Sequence, residues 1–255
     1  MSEKRDSIIE VRGLTVGYQD NIVLEDISFD VFAGEIFAIL GGSGCGKSTL
    51  LKHMIGLYEP MGGEISIGGI NIAMANSAQR RQLLQKFGVT YQSGALFGSM
   101  SVRENIRLVL QEFTTLPLSI IDIICEMKLK LVGLAGCGEM MPAELSGGMV
   151  KRVAIARAMA LDPDIVFLDE PSAGLDPITS AQLDELIIEL SRGLNITFVI
   201  VTHELESIFA IADRVIMLDK GTKKIIAQGS PLELKRNSEN AFVQQFFHRQ
   251  ASLEQ

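Results

Sequence analysis

The most informative stretch of the chain is Gly41-Gly42-Ser43-Gly44-Cys45-Gly46-Lys47-Ser48-Thr49. It satisfies the pattern G-x-x-x-x-G-K-[S/T] and stands between an apolar run, residues 36–40, and a segment of helical character, residues 47–55. A buried strand, a glycine-rich turn and a helix form the context in which backbone N–H groups close around a phosphate. We therefore predict a phosphate-binding loop, in which Lys47 reaches the β- and γ-phosphates and the Ser48 hydroxyl is a ligand of Mg²⁺. Cys45 is expected to be only a small loop residue, the alternative being a thiol open to alkylation.

Two carboxylates, Asp169 and Glu170, follow the apolar strand pattern of residues 165–168. Parallel α/β sheets bind their ligands at the carboxyl ends of the strands. Phosphoryl transfer to water requires a metal to neutralise phosphate charge and a group to orient the attacking water. Taken alone, an acidic pair after a strand is a solvated turn or a helix cap. Together with the phosphate-binding loop, the pair predicts that Asp169 holds Mg²⁺ through water and that Glu170 polarises the nucleophile.

A second phosphate cradle is predicted at Ser146-Gly147-Gly148, which precedes a helical segment. One nucleotide cannot easily occupy both cradles of one subunit, but two copies facing in opposite directions could share it. The alternative, which local sequence alone favours, is an ordinary serine N-cap followed by a glycine turn.

The remaining patterns predict one α/β domain, residues 1–255. Alternating segments typical of antiparallel strands cover residues 8–16, 27–32 and 64–70. Helical spacing follows at 102–113, at 119–131 and from about 148, which indicates a helical subdomain over about 93–160. The α/β pattern then resumes with strands at 165–168, 196–201 and 215–218 and helices at 180–192 and 205–212.

A C-terminal helical tail is predicted over about 231–255. The stretch Ser230-Pro231-Leu232-Glu233 has the pattern of a capping box with proline at the first helical position. Three aromatic residues further on are expected to pack against the chain's own core: Phe242, Phe246 and Phe247. The alternative is that they contact a neighbouring subunit.

Composition excludes several classes of function. The formal net charge of the 255-residue chain is −8, which argues against binding nucleic acid or anionic lipid by charge alone. No apolar run reaches the ~18 residues of a spanning helix, so a membrane role requires a protein partner. The three cysteines lack metal-ligand spacing and the charged start resembles no export segment, and both features indicate the cytoplasm.

The motifs in their order identify a family. The chain resembles the ATP-binding-cassette (ABC) ATPases, the nucleotide-binding subunits of ABC transporters. The matching segments are residues 41–49 (Walker A), Gln92 after a short apolar strand (Q-loop), residues 145–149 (signature), Asp169-Glu170 (Walker B), residues 172–176 (D-loop) and His203 (switch histidine). The resemblance implies a P-loop NTPase cassette with a mixed RecA-like core, an antiparallel β subdomain and an inserted α-helical subdomain. It also implies ATP and Mg²⁺ as cofactors and a head-to-tail homodimer.

The resemblance assigns roles to individual residues. His203 would contact the γ-phosphate, and Gln92 would sense metal and water and couple the ATP state to the helical subdomain. Tyr18 matches the aromatic residue that stacks on adenine, the alternative being a tyrosine on a strand surface. The signature ends in Met149 where the family commonly has glutamine, and activity should survive because Ser146 and backbone N–H groups make the phosphate contacts.

The predicted site residues form three groups. The catalytic group is Glu170, His203, Gln92 and Lys47. The nucleotide-binding group is Tyr18, Gly41, Gly42, Ser43, Gly44, Cys45, Gly46, Lys47, Ser48, Thr49, Ser146, Gly147, Gly148 and Asp176. The metal group is Ser48, Gln92 and Asp169.

The segment after Gln92 narrows the resemblance. Residues 93–97 and 101–106, together with Leu-Ser-Gly-Gly-Met at 145–149, are similar to the ATPases of MCE-type lipid transporters of the Mla phospholipid kind. That likeness implies transport between inner and outer membranes for outer-membrane lipid asymmetry, at the cytoplasmic side of the bacterial inner membrane. The implied partners are an integral MlaE-like permease and a periplasmic MCE-domain subunit.

Two alternatives remain. One is the ATPase subunit of a transporter for amino acids or another small solute. The other is a soluble ABC ATPase of translation or DNA repair, which is disfavoured because the chain has neither a second cassette nor a long coiled-coil insertion.

Overall fold

The computed structural model describes residues 6–19 and 21–248. In chain order its strands are β1 (Ser7–Tyr18), β2 (Asn21–Phe32), β3 (Ile36–Gly41), β4 (Gly62–Ile67), β5 (Ile70–Asn71), β6 (Phe87–Thr90), β7 (Ile165–Asp169), β8 (Thr197–Val201), β9 (Arg214–Leu218) and β10 (Ile225–Gly229). Its α-helices are α1 (Lys47–Met54), α2 (Ser77–Lys86), α3 (Val102–Phe113), α4 (Leu118–Leu131), α5 (Gly147–Ala158), α6 (Pro177–Leu194), α7 (Leu205–Ile211), α8 (Pro231–Asn237) and α9 (Ala241–His248). A 3₁₀ turn covers Pro142–Glu144.

The strands form two sheets, as the mixed-core prediction requires. One sheet is antiparallel, in the order β2-β1-β4-β5. The other has the order β10-β9-β3-β8-β7-β6 and is parallel except for β10, which pairs antiparallel with β9. Every residue of β3 is buried, as expected of a strand flanked by two parallel neighbours.

The two sheets share a core with α1. Phe29 of the antiparallel sheet stacks on Phe37 of β3, with the ring centroids 5.4 Å apart. Phe167 of β7 packs edge-on against Phe87 of β6 at 5.5 Å. The Phe29–Phe37 contact joins β3, the strand that leads into the glycine-rich loop, to the antiparallel sheet.

The single strand predicted over residues 64–70 is wrong. The structure divides this segment into β4 and β5, with Gly68 and Gly69 between them at φ angles of 53° and 78°. Two adjacent residues with positive φ form the tight turn of a two-residue hairpin, and glycine adopts that backbone without a Cβ clash.

Helices and loops alone connect β6 to β7 in the described part of the chain. The predicted helices over 102–113, 119–131 and from about 148 correspond to α3, α4 and α5. Ser101 and Glu104 form a capping box at the start of α3, with distances of 3.3 and 2.7 Å. Across residues 6–19 and 21–248, none of the helices is both long enough and apolar enough to cross a membrane.

Two elements lie outside the sequence patterns. Helix α2 has one buried residue, Leu83, so its apolar periodicity is weak, although Asn76 and Gln79 form a capping box at its start. Strand β10 is a half-buried edge strand.

The tail begins as predicted but is capped differently. Helix α8 starts at Pro231, whose fixed φ suits a first helical position, yet the Ser230 side chain accepts no capping hydrogen bond, so the predicted capping box is wrong. In α9, Phe247 is 2% exposed and contacts Phe209 and Phe246, whereas Phe242 is 38% exposed. Phe247 therefore seals the chain's own core. Residues 249–255 of the predicted tail lie outside the described residues.

Candidate nucleotide site

Four predicted site segments meet at one edge of the parallel sheet. The glycine-rich loop follows β3, Gln92 follows β6, Glu170 follows β7 and His203 follows β8. These four strands are parallel and contiguous in the sheet, so their carboxyl ends share that edge. They border a cleft of about 780 Å³, within the usual size range of small-molecule sites. The cleft is lined by Tyr18, Asn21, Val23, Gly41, Gly42, Ser43, Gly44, Gly46, Lys47, Ser48, Thr49, Gln92, Glu170, His203 and Phe246.

The glycine-rich loop turns tightly into α1. Gly46 has a φ of 104°, and a Cβ there would lie 2.8 Å from Val23 Cγ1, so only glycine fits without a shift. The Lys47 ammonium donates to the carbonyl oxygens of Gly41 and Gly42 at 2.9 and 3.3 Å. Cys45 lies under the loop rather than in the cleft, and its burial raises the pKa of the thiol. A buried, protonated thiol is unreactive, which favours the prediction that Cys45 is only a small loop residue.

Ser48 meets the first carboxylate beside the cleft. Its hydroxyl donates to Asp169 Oδ1 at 3.4 Å. Burial and the neighbouring Glu170 charge raise the pKa of Asp169, while the Ser48 hydrogen bond and two lysines, Lys52 and Lys47, oppose the rise. A cation beside these oxygen atoms would favour the ionised carboxylate.

Glu170 and His203 form a pair across two strand ends. His203 Nδ1 lies 2.8 Å from Glu170 Oε1. The histidine side chain is 61% exposed and the carboxylate only 13%. The second carboxylate oxygen, Oε2, is buried and has no hydrogen-bond partner. A buried carboxylate oxygen without a partner is costly, so Oε2 is an unused acceptor for a hydrogen bond from a polar ligand.

Tyr18 lines the cleft from the end of β1. Its hydroxyl is 3.2 Å from Thr49 Oγ1, and its ring packs edge-on against Tyr58 with the centroids 5.3 Å apart. Tyr18 is 38% exposed and is one of the residues that line the cleft.

The signature and D-loop residues are not brought into this cleft within one chain. Ser146, Gly147 and Gly148 are absent from its lining, and Ser146 Oγ accepts the Met149 N–H at 3.3 Å as the N-cap of α5. Asp176 also lies outside the cleft and caps α6 through the N–H groups of Ile178 and Thr179, both at 3.1 Å.

Several residues of the site escaped the sequence patterns. Asn21, Val23 and Phe246 line the cleft, and only the hairpin position of the first two beside Tyr18 hinted at this.

Asn105 is fully buried and holds the segment after Gln92 through hydrogen bonds to Phe97, Met100 and Ser101.

Comparison with known proteins identifies the family. The sequence model described as ABC transporter matches residues 24–173, more than half of the chain. The chain belongs to the ABC transporter family. It is an ATPase that binds nucleotide, and the predicted cassette fold is confirmed. ATPase subunits of this family dimerise and work with a membrane permease.

Relatives within the ABC family cover almost the whole chain. The intermembrane phospholipid transport system ATP-binding protein MlaF of Haemophilus influenzae is 39% identical over 93% of this chain and 89% of its own length. MlaF of Escherichia coli K12 is 39% identical over 93% and 87%. The probable ribonucleotide transport ATP-binding protein mkl of Mycobacterium leprae is 40% identical over 94% of this chain and 68% of its own length. The resemblance to Mla-type ATPases is therefore confirmed at the level of sequence similarity.

Solved ABC structures share the fold. CbiO1 of Clostridium perfringens, part of the cbiONQ transporter complex, superposes with a TM-score of 0.82 at 31% identity and covers 91% of this chain and 92% of its own. The cassette MJ0796, a dimer in a post-hydrolysis state bound to ADP and Pi, gives a TM-score of 0.78 at 27% identity over 87% and 98%.

Proposed function

We propose that this chain is the ATPase subunit of a transporter that moves phospholipid between the inner and outer membranes and so maintains outer-membrane lipid asymmetry. Two copies would close head-to-tail around ATP and open after hydrolysis. The observation that carries the catalytic part is the Glu170 carboxylate, which borders the same cleft as the phosphate-binding loop and has one buried, unpartnered oxygen. The cargo rests on the similarity to the two MlaF proteins along almost the full chain.

The residues at the cleft suit hydrolysis of a nucleoside triphosphate. Glu170 would accept a proton from the attacking water through Oε2, while His203 holds Oε1 and faces the γ-phosphate. Lys47 would turn from the two loop carbonyls to the β- and γ-phosphates. Tyr18 would stack on adenine, and Gly41–Thr49 supply N–H and hydroxyl groups around the phosphates.

Ser48, Asp169 and Gln92 would hold Mg²⁺. All three offer oxygen ligands, which this cation prefers, and the Ser48–Asp169 contact already brings two of them together. Among the described residues no cluster of three or more His, Cys, Asp or Glu side chains could hold a metal. Magnesium sites of nucleotide enzymes use one or two carboxylates and the substrate's phosphates, so this donor set fits. When bound, the cation neutralises phosphate charge.

The second copy would complete the site. Ser146, Gly147, Gly148 and Asp176 lie outside the cleft of their own chain, and the N-terminus of α5 is a natural phosphate cradle. In a head-to-tail dimer they would reach the nucleotide of the partner. The proposed organisation is one domain over 1–255, with a helical subdomain over about 93–160 and a helical tail over about 231–255.

The proposed partners follow from the cargo. An integral MlaE-like permease would receive the cassette dimer at the cytoplasmic side of the inner membrane, and a periplasmic MCE-domain subunit would complete the path. Membrane contact would run through the permease, and nucleic acid has no role, consistent with a net charge of −8.

A small solute is the second candidate cargo. The mycobacterial relative at 40% identity carries the name of a probable ribonucleotide transport protein, so sequence identity alone favours neither cargo. The ATPase mechanism is the same for both, and the cargo is determined by other subunits.

The ATPase mechanism is tested with Glu170→Gln. The variant keeps the shape of the side chain but cannot accept a proton, so kcat is expected to fall by about 10²–10⁴-fold while ATP affinity persists. The matched control is Glu189→Gln on the exposed face of α6, which should hydrolyse ATP like the parent protein. Parent-like turnover of Glu170→Gln would remove Glu170 from its proposed role.

The cargo is tested by isolating the same variant from native membranes. Tagged Glu170→Gln is captured in detergent with Mg-ATP, and mass spectrometry identifies the associated proteins and lipids. Recovery of a multi-spanning permease with an MCE-domain subunit and phospholipid supports the proposal. Recovery of a different permease with a soluble solute-binding protein replaces phospholipid by a small solute.

A further inference from the structure

Helix α5 carries a lysine whose charge is buried beside the candidate catalytic residues. Lys151 lies in the second turn of the helix and is 8% exposed. Its ammonium donates to the carbonyl oxygen of Gln92 and, at 3.3 Å, to the carbonyl oxygen of Glu170. Lysine is almost never buried unless its charge is paired or hydrogen-bonded, so these two bonds account for its position.

The Lys151 side chain has two backbone acceptors, the carbonyl oxygens of Gln92 and Glu170. A protonated amine has three donors, enough to hold both carbonyl groups at once. Charge-assisted bonds of this kind are stronger than those of a neutral donor.

The carbonyl of Glu170 belongs to a backbone segment that needs support. Glu170 has a φ of 48°, in the left-handed region that residues with a Cβ rarely adopt. Its N–H donates to the Val201 carbonyl at 2.8 Å, and Lys151 holds the carbonyl on the other side. Such strained residues persist at functional sites only where the surroundings fix them.

The same helix also holds the segment that follows Gln92. Arg157 donates to the carbonyl oxygens of Gly94 and Ala95 at 2.9 and 2.8 Å. Arg157 therefore anchors this segment at one point, whereas Lys151 joins it to the end of β7. The first turn of α5 contains the signature residues Gly147 and Gly148. This one helix therefore links the signature, the segment after Gln92 and the end of β7.

We propose that Lys151 is a positioning residue for ATP hydrolysis, which ties the carbonyl of Gln92 to that of Glu170 and thereby aims the Glu170 carboxylate into the cleft. The inference rests on the catalytic roles proposed above for Glu170 and Gln92. Lys151 itself acts on the backbone of these residues and is not part of the cleft lining. Its loss would misplace the carboxylate without removing any group that binds ATP.

The test compares Lys151→Met with Lys128→Met in the full-length protein. Lys128 is the matched control, because its ammonium is also buried in the helical region but pairs with Asp162. Lys151→Met is expected to lower kcat by about 10–100-fold, because small misplacements of a reacting group have effects of this size. ATP affinity, measured with a fluorescent analogue, should stay within about twofold, and Lys128→Met should keep both parameters.

Lys151→Arg keeps the test valid if the methionine variant does not fold. It retains the charge, but a planar guanidinium cannot reproduce the geometry of the ammonium, so kcat should fall several-fold with unchanged ATP affinity. A parent-like kcat in either folded Lys151 variant overturns the proposal, as does an equal loss in Lys128→Met. Glu170→Gln is measured in the same series. If it hydrolyses ATP normally, the proposed function fails; if it is inactive while Lys151→Met is active, only the role of Lys151 fails.

Discussion

Asp184 is a buried acid in the middle of α6. It is 6% exposed, and burial raises the pKa of its carboxyl to about 6, from an ordinary value of 3.8. A hydrogen bond to Ser207 opposes the rise and the charge of Glu204 adds to it. The folded protein therefore keeps a proton on Asp184 in a pH range in which the unfolded chain has lost it.

This shift predicts a pH dependence of stability with a definite sign. Because the folded pKa is raised, Asp184 destabilises the fold progressively as pH rises from about 4 to about 6, by roughly 2–3 kcal/mol in total. Asp184→Asn removes the cost of ionising this buried carboxyl. The free energy of unfolding of the variant, relative to that of the parent protein, should therefore rise by a similar amount over that pH range. Urea unfolding at a series of pH values measures the difference.

Asp176, the N-cap residue of the same helix, provides the control. Its capping hydrogen bonds to Thr179 lower the pKa of its carboxyl, so its contribution is present above about pH 4 and is lost only below it. The stability difference between Asp176→Asn and the parent should therefore be nearly flat from about pH 4.5 to 7. A difference for Asp184→Asn that is equally flat would contradict the burial argument.

At the scale of elements, the C-terminal helix α9 is predicted to contribute to stability through one face. Phe247 is 2% exposed and packs with Val243 against β9 and α7, whereas Phe242 is 38% exposed. Phe247→Ala should cost about 3 kcal/mol, the low end for a buried phenylalanine, and Phe242→Ala less than about 1. Thermal unfolding of the two variants measures the contrast. Equal effects would mean that α9 does not pack on the core as described.

How far the sequence predicts an element depends on how much apolar surface the element buries. Helix α3 buries Val102, Ile106 and Leu110 on one face, and the pattern predicts its bounds over 102–113 without error. Helix α2 buries only Leu83, so the periodic signal is too weak to detect. Strand β10 is short, half-buried and at a sheet edge, and its pairing with β9 depends on long-range contacts.

At the scale of the whole molecule, the site follows from the order of the strands. Walker A, Gln92, Glu170 and His203 were predictable because each follows an apolar strand, and parallel strands bring their ends together. Lys151 was not, because its partners Gln92 and Glu170 are 59 and 19 residues away along the chain. Within a single chain Ser146 does not line the cleft. The proposed second copy, which would bring Ser146 to the nucleotide, is therefore the part of the account that most needs a test.

The most informative measurement is therefore the mass of Glu170→Gln in solution with Mg-ATP, by light scattering. The mass should double from 27.8 kDa to that of a dimer, because bound ATP that is not hydrolysed keeps the two copies closed. Adding Ser146→Arg should return the protein to a monomer that still binds ATP, while Ser119→Arg on the exposed start of α4 should not. A Glu170→Gln protein that stays monomeric with ATP bound, or one whose dimer survives Ser146→Arg, would contradict the shared nucleotide site.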